Sequence, residues 1–112
     1  VNSGPNFDAA AVYTSNQVVA APVIWSKQVT KGKIVRAAIL NSGGANACTG
    51  PQGFADTHQT AEHVGQLLGI SSGEVVVCST GLIGYDWCRL GVSLLASSNS
   101  NRNTIEFPQD RS

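Results

Sequence analysis

Residues 41–53, Asn-Ser-Gly-Gly-Ala-Asn-Ala-Cys-Thr-Gly-Pro-Gln-Gly, constrain this chain more than any other stretch. Four glycines and one proline fall within thirteen positions, and no side chain there is both large and apolar. Such a segment cannot pack a core, so its backbone must approach something closely. Its flanks decide the fold class. Ile34–Leu40 (IVRAAIL) precedes it and is nearly continuous in apolar residues, as a strand buried on both faces would be. After it the period changes: Phe54, Thr57, Ala61, Val64 and Leu68 recur every three or four residues, with polar residues between them. That spacing predicts an amphipathic helix over Phe54–Leu68, ended by Gly69. Ser71–Gly73 reads as a loop and Glu74–Ser79 (EVVVCS) as a second buried strand. Strand, helix and strand in this order form a βαβ unit with parallel strands, and the fold class is α/β.

Outside this unit the signals are shorter. Ala9–Thr14 (AAAVYT) reads as a buried strand and Ser15-Asn16 as a turn. Gln17–Ser26 is apolar and β-branched but contains Pro22, so an edge strand or two short pieces are expected. Lys27–Lys33 carries three positive charges and Gly32, as an exposed loop would. Thr80–Gly84 (TGLIG) reads as a glycine-bearing turn directly after a strand. Asp86–Ser98 spaces Trp87, Leu90, Leu94 and Leu95 for one face of a short helix. Ser97–Thr104 has no apolar residue, and the last sixteen residues read as a disordered or poorly packed tail.

Charge excludes several function classes. The 112 residues carry seven positive and seven negative side chains, 12% of the chain against the ~25% usual for soluble domains. With zero net charge and no basic run, neither nucleic acid nor a membrane surface is an expected partner. Apolar runs fall far short of the ~20 residues of a membrane span, and the first residues lack the charged and apolar regions of a signal peptide. So little charge implies that more protein covers part of the surface. There is no methionine, which points to a processed chain or a fragment. Three cysteines, Cys48, Cys78 and Cys88, are an odd number without a Cys-x-x-Cys pair. Buried structural thiols in a reducing cytoplasm are expected.

Common chemical motifs fail when tested by spacing. Counting from Gly43, the dinucleotide fingerprint would need glycine where Ala45 and Cys48 stand. Gly32-Lys33 is followed by Ile34, so no P-loop exists. His58 and His63 are five apart, about 140° around a helix, and cannot share a metal as an i,i+4 pair would. Both are expected to face solvent. Ser79 lacks the glycine two residues before it that a nucleophile elbow requires. No cofactor and no metal are therefore expected. What remains is Thr80-Gly81 at the end of a buried strand. A hydroxyl and an unshielded backbone N–H at neighbouring positions can serve one oxyanion, although Thr-Gly after a strand is more often an ordinary turn.

Taken together, Asn41–Gly50, Gln52-Gly53, Asp56 and Cys78–Gly84 (CSTGLIG) resemble the N-terminal part of the ornithine acetyltransferases, bifunctional glutamate N-acetyltransferases of arginine biosynthesis. Thr14–Val18 and Ala20–Val23 add a third motif in the same order. The resemblance covers residues 1–84. Tyr13 and Gly44 depart from it harmlessly, and residues 85–112 do not follow it, reading as a divergent or altered tail. It implies a layered αββα sandwich of which this chain supplies an incomplete part. It also implies a chain that cuts itself, exposing the threonine nucleophile of a complementary β chain, in a hetero-oligomer of α and β chains. Acetyl then passes from N-acetylornithine to that threonine and on to glutamate. The nucleophile and most substrate-binding residues lie beyond the matched region. The family's oxyanion-hole pair falls on Thr80 and Gly81. Two other readings compete: a non-catalytic α/β remnant or binding module, and an unrelated ligand-binding α/β domain that uses residues 41–53.

Overall fold

The computed structural model describes residues 8–83. Helix α1 (Ala21–Lys31) leads to strand β1 (Ala37–Gly44), helix α2 (Gly50–Leu68), a 3₁₀ turn (Ser72–Glu74) and strand β2 (Val75–Leu82). The two strands are parallel and in register from Ala37↔Val75 to Gly44↔Leu82, with α2 as the crossover. The βαβ unit read from the sequence is thus present, and the α/β class holds.

Helix α2 is longer than its periodicity shows. It begins at Gly50, because Pro51 sits in the first turn, where its missing N–H costs nothing and its fixed φ suits a helix. It ends at Gly69, which has φ 66° and returns its N–H to the Gly65 carbonyl. Ala61 and Val64 on α2 pack against Ala37, Ile39, Val75 and Val77, with Trp25, Leu68 and Ile70 around them. That cluster is the core.

Helix α1 replaces the edge strand expected over Gln17–Ser26 and most of the loop expected over Lys27–Lys33. Pro22 lies in the first turn of the helix, a place it favours as much as it favours a sheet edge. Helix α1 nevertheless protects an edge. Trp25 Nε1 donates to the Val75 carbonyl at 2.9 Å. The Ser26 hydroxyl donates to the Val77 carbonyl at 2.9 Å and accepts its N–H at 3.1 Å. A buried helix side chain thereby satisfies both polar groups of a strand residue that has no strand beside it on that side.

Ala9–Thr14 is not a buried strand. An isolated antiparallel bridge joins Asp8 to Ile34, Ala9 N–H donates to the Lys33 carbonyl, and Val12 is 98% exposed. A run rich in β-formers without a partner strand gains nothing from its propensity. The turn expected at Ser15-Asn16 falls later, as a bend at Gln17-Val18, with Thr14 Oγ1 accepting from Asn16 N–H and Asn16 Oδ1 accepting from Val18 N–H. β1 starts three residues later than expected and runs on into the glycine segment, while Ser71–Gly73 partly winds into the 3₁₀ turn. Neither strand is buried on both faces. Ala37, Ile39, Val75 and Val77 face the helices, whereas Ala38, Leu40 and Cys78 are exposed on the other side. The helix expected over Asp86–Ser98 and the tail after it lie outside the described residues.

Candidate functional site

The glycine segment serves the helix that follows it. Asn46 is buried and holds φ 46°, a left-handed conformation that asparagine tolerates better than most residues. Its Nδ2 donates to the Gly53 carbonyl at 2.9 Å and to Thr57 Oγ1 at 2.8 Å, while its Oδ1 accepts from Thr49 Oγ1 at 2.6 Å. This network pins the first two turns of α2. Gly53 is enclosed by it: a Cβ there would fall 1.8 Å from Thr49 Oγ1 and 2.4 Å from Asn46 Oδ1. The close backbone approach expected of this segment is therefore an internal one. Asp56 is buried one turn along and accepts from Gln52 Nε2 at 2.9 Å through Oδ1.

Thr80 and Gly81 do not form a turn after β2; both lie within it, and the strand runs to Leu82. The misreading has a clear cause. Thr80 pairs with Ser42 and Gly81 with Gly43, so the glycine segment itself supplies the partner strand that keeps these residues extended. Side chains alternate along a strand. Val75 and Val77 face the core, and Val76, Cys78 and Thr80 face the open side. Thr80 is exposed there beside Ser42, also exposed, while Ser79 belongs to the helix-facing row. The backbone alternates too. The Glu74 and Leu82 carbonyls accept from Arg36 and Ala45 on the β1 side, and the Val77 N–H points the opposite way, to Ser26. By this alternation the Gly81 N–H is directed away from β1. Thr80 and Gly81 thus occupy a corner between the open face and the outer edge of β2.

The open face is apolar. A groove of about 460 Å³ runs across it, lined among others by Ala10, Tyr13, Pro22, Leu40, Val76 and Cys78. Tyr13 is held by a 3.0 Å hydrogen bond between its hydroxyl and Thr30 Oγ1, and Lys27 Nζ lies 5.7 Å from its ring centroid.

Other sequence expectations are corrected. Cys48 and Cys78 are exposed, not buried, because Cys48 sits in the glycine segment and Cys78 on the open face; Cys88 lies outside the described residues. Of the histidines, His58 is exposed, 4.9 Å from the Trp25 ring and 3.6 Å from Glu62. His63 is half-buried and turns its Nε2 inward, since it sits beside the apolar stripe and not opposite it. The sequence reading missed Ser26 and Ser42. Both stood inside or beside runs judged by hydropathy alone; matching the two strands residue for residue would have brought Ser42 beside Thr80.

A βαβ unit with one sheet face under helices, the other open, and a Thr-Gly pair at the open corner of its second strand defines an α/β segment. The chain belongs to the ArgJ family, whose model matches residues 1–96. It is 66% identical over 84 residues to the arginine biosynthesis bifunctional protein ArgJ of Streptomyces avermitilis, covering 75% of this chain and 22% of that protein. The ArgJ of Mycobacterium tuberculosis is 62% identical over 88 residues, again 22% of its length. Among solved structures, the ornithine acetyltransferase of Mycobacterium tuberculosis complexed with ornithine matches with TM-score 0.73 and 60% identity, over 75% of this chain and 46% of that one. The arginine biosynthesis bifunctional protein ArgJ of Bacillus halodurans matches with TM-score 0.69 and 38% identity, over 71% of this chain and 42% of that one. The chain spans about a fifth of the length of the Streptomyces avermitilis and Mycobacterium tuberculosis ArgJ proteins.

Proposed function

We infer that this chain acts as the N-terminal, α-chain segment of an acetylornithine-dependent glutamate N-acetyltransferase and contributes its oxyanion hole through Thr80 and Gly81. Residues 1–84 are the acting segment, and the nucleophile is the N-terminal threonine of a complementary β chain. That threonine's Oγ attacks the acetyl carbonyl carbon of N-acetylornithine, and its own α-amino group takes the Oγ proton. The carbonyl electron pair moves onto oxygen. When the tetrahedral species collapses, the C–N bond breaks, the α-amino group returns its proton to the departing ornithine nitrogen, and an acetyl-threonine ester remains. The glutamate amine then attacks the ester carbon and gives up a proton to the same base. The C–O bond breaks, Oγ recovers its proton, and N-acetylglutamate leaves.

The observation that carries this reading is the corner position of Thr80-Gly81. A hydroxyl on the open face and an N–H on the adjoining edge can both reach an oxygen lying off that corner. The paired strands fix both donors before substrate arrives, and preorganised donors of this kind stabilise charge where it develops. The covered face of the sheet cannot offer this, which sets Ser79 apart from its neighbour.

Two measurements test the proposal. The isolated chain should show no acetyl transfer from N-acetylornithine to glutamate, because Thr14, Thr30, Thr49, Thr57, Thr60, Thr80 and Thr104 are all internal; turnover above buffer background would contradict it. In a full-length ArgJ carrying residues 8–83 of this chain by grafting, Thr80→Ala should lower kcat by about 10²–10³, the range for loss of one oxyanion donor, with little change in KM. Ser79→Ala should change kcat far less. Near-normal turnover of folded, self-cleaved Thr80→Ala enzyme would rule the oxyanion role out.

A further inference from the structure

We propose that Gly43 is a positioning residue for the oxyanion donor at Gly81, acting through its backbone torsion and not through its size. This rests on the oxyanion reading above. Gly43 and Gly81 are cross-strand partners, and they share an unusual conformation, φ 119° and φ 122°. Side-chain-bearing residues rarely adopt such values, and two of them side by side in a parallel ladder mean that both strands leave ordinary strand torsions at the same rung.

The two glycines are required for different reasons. A Cβ on Gly81 would lie 2.7 Å from the nitrogen, carbonyl carbon and oxygen of Gly43, so the backbones touch and leave no room. A Cβ on Gly43 would meet nothing within 4 Å. Space does not demand glycine at 43; its torsion does. The ladder continues past this rung, since Gly44 pairs with Leu82 and the Ala45 N–H donates to the Leu82 carbonyl at 2.9 Å. If residue 43 returned to an ordinary negative φ, the path of β1 beyond it would change, and either this continuation or the contact with Gly81 would give way. The direction of the Gly81 N–H is therefore held by the torsion of its partner. Nothing in the chain's local hydropathy marks Gly43, which stands in a glycine-rich segment whose neighbouring Asn46 network serves α2 instead.

The test uses the same grafted full-length enzyme and separates torsion from size. Gly43→Ala should lower kcat by about 10²-fold, as for a displacement of roughly 1 Å at a catalytic group, while KM for N-acetylornithine stays within about twofold. Gly43→Ser, a little larger, should lose kcat about as Gly43→Ala does, because φ 119° lies outside the left-handed helical well and is open essentially to glycine alone, and it serves as a second kinetic probe beside Gly43→Ala. A loss that instead grew with side-chain size, negligible for Gly43→Ala and large for Gly43→Ser, would mean a size requirement and overturn the proposal. Because both residues serve one oxyanion, Gly43→Ala combined with Thr80→Ala should cost less than the product of the separate effects. If Thr80→Ala lowers kcat while both Gly43 variants leave it unchanged, the positioning role falls and the oxyanion reading stands. If the Gly43 variants lower kcat and Thr80→Ala does not, both fall, and Gly43 matters only for the fold.

Discussion

The two faces of the β1–β2 sheet are nearly alike in composition and opposite in fate. Ala37, Ile39, Val75 and Val77 on one face are buried under the two helices. Ala38, Leu40, Val76 and Cys78 on the other are half-buried or exposed, Leu40 by 66%. Alternation between apolar and polar residues would have told the faces apart. Its absence leaves the two faces alike by hydropathy, and only the helices packed over one of them set them apart. The candidate site belongs to the second face. Thr80 is the row's polar end, where an apolar surface gives way to a hydroxyl and a glycine N–H.

The largest expected effect of breaking this contrast is on the covered face. Ile39→Ala removes a branched side chain from the middle of the core and should cost about 2–5 kcal/mol. That is a large share of the 5–15 kcal/mol that holds a typical domain together. Leu40→Ala, one residue on, should change stability by no more than about 0.5 kcal/mol in the isolated chain. Urea denaturation followed by far-UV circular dichroism compares them. Equal losses would mean that the open face is packed as well.

These same residues show what the sequence could and could not reveal. The βαβ unit was legible because the period changes at Phe54 and Gly69 closes the helix. Helix α1 was not. Pro22 suits a sheet edge and a first helical turn equally well, and the buried Ala21, Pro22, Ser26 and Val29 that mark its inner face enclose Val23, Ile24 and Trp25, which read as strand. Burial of the strands on both faces was expected from their continuous apolar runs, but among the described residues only one face is covered. Thr80 and Gly81 were legible as a motif by resemblance. That they are paired strand residues and not a turn depends on Ser42 and Gly43, about forty positions away, and local pattern carries no such information.

An intermediate effect lies at the edge of β2, where the covered side depends on a single hydroxyl. Ser26 alone answers both the N–H and the carbonyl of Val77. Ser26→Ala should cost about 1–3 kcal/mol, the penalty of leaving buried polar groups without partners. Ser26→Thr, which keeps the hydroxyl, should recover part of it. Hydrogen exchange at the Val77 amide reads the effect locally; unchanged protection in Ser26→Ala would show that water or another group serves that edge.

The smallest effect on stability, and the sharpest on association, is expected at the open face. An apolar sheet surface left uncovered in water tends to pair with another copy. The isolated chain should therefore sediment as a concentration-dependent mixture and melt over a broad range. Leu40→Lys places a charge on the lining of the groove without touching the core, because the side chain already projects outward. It should shift the chain toward monomer at equal protein concentration while moving the urea midpoint little. In a full-length ArgJ carrying residues 8–83, where more chain would cover this face, the same substitution should instead be strongly destabilising, since a charge is then buried without a partner. A clean monomer for the unsubstituted chain, or a full-length enzyme indifferent to Leu40→Lys, would show that the face is not an interface and would erase the difference between the two sides of the sheet.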